Sequence, residues 1–120
     1  MNDERRSFPR LHFSVEVICQ KLDINAPEFP VLNSHSKNIS ATGICIVTKE
    51  RFESGTNLGM NFFLPDYDEP IYAIGKVVWI KEIKLSDSSA GTAFDAGVRF
   101  LKIKPDDRDK INQYVVARIK

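Results

Sequence analysis

Apolar and polar residues alternate along most of this chain, with the two-residue period of half-buried strands. Residues 11–20 place Phe13, Val15, Val17 and Cys19 on one face and the mostly polar set Ser14, Glu16, Ile18 and Gln20 on the other. Residues 57–64 repeat the pattern with Leu58, Met60, Phe62 and Leu64. Residues 43–48 are an almost unbroken apolar run, which reads as a buried strand, and 31–37 form a weaker strand before it. Residues 71–84 make a long strand rich in β-branched and aromatic side chains, in which Gly75 marks a bulge or bend. The last strand covers 94–103, with Ala96, Val98 and Phe100 on one face.

The interruptions are turn-like. Residues 1–10 carry no periodicity and read as a flexible, extended arm, in which Pro9 biases Phe8 toward extended geometry. Residues 23–30 hold two prolines and form a loop. Residues 50–56 turn at Gly55, 65–70 make an acidic loop, and 85–92, rich in Ser, Asp and Gly, make the segment expected to be mobile. From Pro105 the period changes: Ile111, Tyr114, Val115 and Ile119 fall on one helical stripe. Pro105 suits a first helical turn, and Asp106 and Asp107 suit the helix dipole there, although Lys104 is a poor N-cap. Short strands with turns between them predict a mainly β protein, a small antiparallel barrel followed by a C-terminal helix. The expected organisation is one domain over 1–120: an arm at 1–10, a barrel at 11–103 and a helix at 105–119.

Composition narrows the function. With 120 residues, 42% of them hydrophobic, the chain can fill one modest core. A net charge of +1 gives no overall field toward nucleic acid or an acidic membrane. The basic character is local, in Arg5, Arg6 and Arg10. No apolar run has the length of a spanning helix and no signal peptide opens the chain, so a cytoplasmic protein is expected. Cys19 and Cys45 both lie in apolar patterns without CxxC spacing and read as buried free thiols. His12 and His35 are not in metal-ligand spacing with either cysteine, so no metal is expected, and Asp66, Asp68 and Glu69 read as a solvated loop. Trp79 reads as core or barrel wall, with a base-stacking role the minority reading. No nucleophile elbow, phosphate-cradling glycine loop or zinc motif is present, which points away from an enzyme.

Two short motifs remain. The first, Asn38-Ile39-Ser40-Ala41-Thr42-Gly43, reads as a polar turn feeding the buried strand. Asn38 and Ser40, two apart on an extended backbone, point the same way and offer an amide and a hydroxyl. Gly43 permits positive φ or the close approach of a ligand. The plain alternative is a turn that satisfies only its own backbone. The second motif is the RxxxR of Arg6 and Arg10, preceded by Arg5. Its plain alternative is a solvated, inert arm.

An arm RxxxR followed some thirty residues later by an NxSxxG resembles the PilZ domain, a bacterial receptor module for cyclic di-GMP. Val77-Val78-Trp79 is similar to the family's aromatic-bearing strand, and Ala96-Gly97-Val98-Arg99-Phe100 to its last barrel strand. The resemblance implies a six-stranded antiparallel barrel with a C-terminal helix packed on it. It implies that Arg6 and Arg10 clamp cyclic di-GMP, that Asn38 meets a guanine or supports an arginine, that Ser40 donates to phosphate or base, and that Gly43 admits the ligand. No cofactor beyond that ligand is implied. Asn38 stands where the family has Asp or Asn, and Ser7 where members often carry another arginine. The implied mechanism is ordering of the arm on binding, with the new surface read by a partner protein. Arg5, pointing away from Arg6, is expected to cap a second, intercalated copy of the ligand, giving two copies per site. Two rival readings are a PilZ-like interaction module that has lost nucleotide binding, and a barrel for single-stranded nucleic acid. The latter is disfavoured by the near-zero net charge.

Overall fold

The computed structural model describes residues 9–22, 30–84 and 91–119. The expected loop at 23–30 and the expected mobile segment at 85–92 fall almost wholly outside the described residues, as do Arg5, Arg6, Ser7 and most of the arm. Seven strands and one helix follow in order: β1 (Leu11–His12), β2 (Glu16–Lys21), β3 (Val31–Ser40), β4 (Gly43–Thr48), β5 (Asn57–Phe62), β6 (Ile71–Lys84), β7 (Thr92–Ile103) and α1 (Pro105–Arg118). Every pairing is antiparallel, in the order β3-β2-β5-β6-β7-β4, and a β3–β4 pairing closes the ring into a six-stranded barrel. β1 is the extra strand, paired to the upper part of β3.

The barrel interior is the apolar face that the alternation predicts. Val17, Cys19, Leu58, Met60, Phe62 and Leu64 are all buried, joined by Ile39, Ile44, Ile46, Val77, Ala96 and Val98. Phe13 and Val15 pack against this core from its margin. Both cysteines are free and buried.

Besides a bulge at Lys37, between the pairings Ser36–Ile46 and Asn38–Cys45, three irregularities depart from simple alternation. The strand expected over 11–20 is broken at residues 13–15. There the buried Ser36 hydroxyl donates to the Phe13 carbonyl at 2.7 Å and accepts from the Val15 amide at 2.9 Å. A side chain thus replaces the missing ladder bonds, which buried backbone groups require. A second shift lies at Gly75, as its position in the long strand predicts: a Cβ there would collide with Val98, and Leu101 is the extra residue on the facing strand. The third bulge falls between Val77 and Trp79. It reverses the facing of the rest of β6, so Val77 is fully buried while Val78 and Trp79 are both exposed. Trp79 is therefore on the outer surface of the wall and not in the core.

The turn expected at residues 38–43 is also revised. Asn38 and Ser40 are the last part of β3, and only Ala41 and Thr42 form the turn, with Ser40 paired to Gly43. Ile39 supplies the reason: it is fully buried, and its burial carries the strand register to the hairpin.

α1 starts at Pro105 without a side-chain cap, and its acidic first turn holds Asp106 and Asp107. Ile111 and Val115 are completely buried in the barrel's core cluster, and the Tyr114 ring meets Phe13 at 5.8 Å. Burial of two such side chains contributes about 1.5–3 kcal/mol each, more than the roughly 1 kcal/mol a missing N-cap costs. Ile119, placed on the stripe by its spacing, lies past the helix end and is exposed. Among the described residues no helix is long and apolar enough to cross a membrane.

Candidate functional site

Directly paired residues of antiparallel strands project from the same face. One outer row therefore runs Asn38–Cys45–Gly97–Trp79, across β3, β4, β7 and β6. A second row runs Ser40–Gly43–Arg99–Lys76. The interior row between them is Ile39–Ile44–Val98–Val77, all buried. This buried row fixes the positions from which the outer side chains on either side of it project.

A groove of about 670 Å³ lies over these rows, lined by Arg10, Asn38, Thr42, Cys45, Trp79, Gly97 and Arg99 among others. Arg10 reaches it from the chain before β1 and donates to Asn38 Oδ1 at 2.7 Å. Packing partly desolvates this guanidinium and pulls its pKa below the ordinary value, which still leaves it cationic at neutral pH. On the other wall the Trp79 indole lies directly against the Cα of Gly97, in space that any Cβ at that position would occupy. Contact with Gly97 holds the ring against the sheet, and 46% of the residue remains exposed. The floor is Cys45, whose thiol pKa is pushed up by burial first and then by the Asp95 charge. A raised thiol pKa lowers its thiolate fraction.

Ser40 and Gly43 sit one row further along. The Ser40 hydroxyl, 1% exposed, lies 3.0 Å from Thr42 Oγ1 and accepts from the Thr42 amide at 3.2 Å. Gly43 is pressed against β7: a Cβ there would stand 2.5 Å from the Val98 carbonyl oxygen. Its small size is thus required by strand packing, and its φ is not positive. The structure brings Arg10 and Asn38 into contact and places Ser40 and Gly43 beside them; Arg5 and Arg6 lie outside the described residues.

Beside the groove, Lys37 bonds Asp95 at 2.8 Å, and that hydrogen bond, aided by the carboxylate's charge, raises the Lys37 pKa. Asp95 Oδ1 is buried with no hydrogen-bond partner among the described residues. Among the described residues no group of three metal-ligating side chains gathers. A second groove, also about 670 Å³, lies between β7 and α1 and shares Thr42 and Arg99 with the first.

Sequence reasoning ranked core or barrel wall ahead of base stacking for Trp79, and it did not single out Arg99 as a groove residue. For Trp79 there was a signal: three successive apolar residues, Val77-Val78-Trp79, break the alternation as a bulge does. Arg99 is legible as outward-facing between Val98 and Phe100, but nothing in the sequence joins it to the row of Ser40 and Gly43.

Comparison with known proteins follows the same lines. No curated protein matches the chain. Among solved structures, the Bacillus subtilis inhibitor of motility MotI/DgrA superposes with a TM-score of 0.73 at 24% identity, covering 96% of this chain and 51% of that one. The PilZ domain of YcgR from Escherichia coli, solved with c-di-GMP, gives 0.69 at 14% identity, covering 95% and 91%. The MrkH–c-di-GMP complex of K. pneumonia gives 0.72 at 20% identity, covering 97% and 53%. The chain spans about half the length of MotI and MrkH. The sequence profile of the PilZ domain matches residues 4–117, nearly the whole chain, and with this barrel, its helix and the paired motif residues the protein belongs to the PilZ domain family.

Proposed function

We propose that this chain is a one-domain cytoplasmic receptor for cyclic di-GMP, which closes its N-terminal arm over the ligand and presents the new surface to an effector protein. The observation that carries the reading is the Arg10–Asn38 bond at the lip of a groove whose opposite wall is an exposed indole. A cyclic dinucleotide offers two phosphates and two flat guanines. An arginine fork binds phosphate oxygens or the guanine O6/N7 edge bidentately, and can stack on a base. An exposed aromatic ring gives a base a second stacking surface. Asn38 uses its carbonyl oxygen to aim Arg10, the supporting role among those expected of it.

Family membership supports the reading, as does the naming of c-di-GMP in the YcgR and MrkH structures. Arg6 completes the clamp in this account, Ser40 and Gly43 shape the adjoining turn, and Arg5 caps a second ligand copy.

Trp79 is the only tryptophan in the chain, so its emission reports on the groove alone. Cyclic di-GMP should change that emission saturably, and GTP should not. Ordering of the arm should appear as slowed amide exchange over residues 5–10 on ligand addition. Unchanged emission at ligand concentrations that saturate binding would move the site elsewhere.

A further inference from the structure

Row two of the outer surface ends in two cations. Lys76 on β6 stands directly opposite Arg99 on β7, and both are exposed. Like charges facing each other in a ladder destabilise the sheet. Among the described residues neither side chain has a hydrogen bond or an ion pair to offset this. The contrast is with Lys37, Lys110 and Arg118, each of which reaches a carboxylate. Arg99 lines the ligand groove and the β7–α1 groove at once, at the ridge where they meet. It is two residues from Gly97, on the same face as the Trp79 ring. Arg10 is anchored on β3, and β4 lies between β3 and β7, so the two guanidiniums start from strands about 10 Å apart.

From this we infer that Arg99, with Lys76 behind it, is a second anion clamp that binds a phosphate of the cyclic dinucleotide on the wall opposite the arm. The inference rests on the receptor reading and extends it to residues outside both sequence motifs. Bound phosphate supplies the negative charge that the facing cations lack, so the ligand relieves a repulsion built into the free barrel. The arginine's fork makes the direct contact. Lys76 adds charge behind it.

The test is calorimetric titration with cyclic di-GMP of wild type, Arg99→Ala and Lys76→Ala, with thermal unfolding of each ligand-free protein. Arg99→Ala should weaken binding about tenfold to a hundredfold, the range for a charged hydrogen bond. Lys76→Ala should weaken it less. Both free variants should unfold at the wild-type temperature or above it, because a repulsion has been removed. A purely structural role would lower stability together with affinity, and that result overturns the inference. Wild-type affinity in Arg99→Ala also overturns it, while leaving the receptor reading intact. A wild type that does not bind cyclic di-GMP overturns the receptor reading and this inference together.

Discussion

The seam between β1, β2 and β3 and the outer surface of β4, β7 and β6 both break strand regularity, yet they use the break differently. At the seam hydroxyls take up backbone groups: Ser36 bridges Phe13 and Val15, and the buried Ser34 hydroxyl donates to the Val17 carbonyl at 2.9 Å. On the outer surface the bulge at Val78 turns an indole toward solvent, beside Lys76 and Arg99, which have no ion-pair partner among the described residues. The first irregularity completes a barrel, and the second furnishes a surface. Polar groups that are satisfied internally report on folding; those left unsatisfied at a groove report on what the groove receives.

Substitutions at the two places should therefore separate. The largest effect is expected at Arg10→Ala, which should cost about 1.5–3 kcal/mol of cyclic di-GMP binding. It should leave the unfolding temperature unmoved, because Arg10 contributes nothing to the core. Calorimetry beside a thermal melt checks both halves. Ser36→Ala should do the reverse. It strands the Val15 amide and the Phe13 carbonyl and should cost about 1–3 kcal/mol of stability in urea unfolding, with ligand affinity retained once the protein is folded. Loss of affinity without loss of stability in Ser36→Ala would erase the distinction between the two regions.

A smaller effect is expected at Trp79. Trp79→Ala should lose about 1 kcal/mol of binding, the low end for a base stacked on an aromatic ring, since nearly half of the residue stays exposed. Stability should hardly change. A large drop in stability would return Trp79 to the core role that simple alternation gives it.

The smallest effect concerns pH. Lys37 has its pKa raised by the hydrogen bond to Asp95 and by that carboxylate's charge. A raised folded-state pKa means that the pair's contribution is complete below lysine's unfolded value of about 10.4 and fades as pH rises through the folded one. Lys37→Gln should accordingly flatten the alkaline edge of the stability curve. An identical alkaline edge in wild type and variant would show that the pair contributes nothing.

Much of this architecture was legible in the sequence because burial enforces alternation. Leu58, Met60, Phe62 and Leu64 could only face one way, and Ile111 with Val115 announced the helix. The exceptions have a common cause. The break at 13–15 depends on a hydroxyl 21 residues beyond Val15, and the outward turn of Trp79 depends on its register against Gly97. Local periodicity does not contain such long-range pairings. The reading of residues 38–43 as a turn failed for a related reason, since the burial of Ile39 extends β3 past the polar residues that suggested a loop. Of the candidate site, Arg10 and Asn38 could be tied to each other only through the resemblance of their motifs. Arg99 could be found only once the barrel had closed.

The central claim is that the groove between Arg10 and Trp79 receives cyclic di-GMP. Isothermal calorimetry of the wild-type chain with cyclic di-GMP, with GTP and a short oligonucleotide as controls, tests it most directly. The account predicts saturable binding of the cyclic dinucleotide at about two copies per chain and no comparable binding of either control. Absence of binding to cyclic di-GMP, or equal binding of all three, would contradict it.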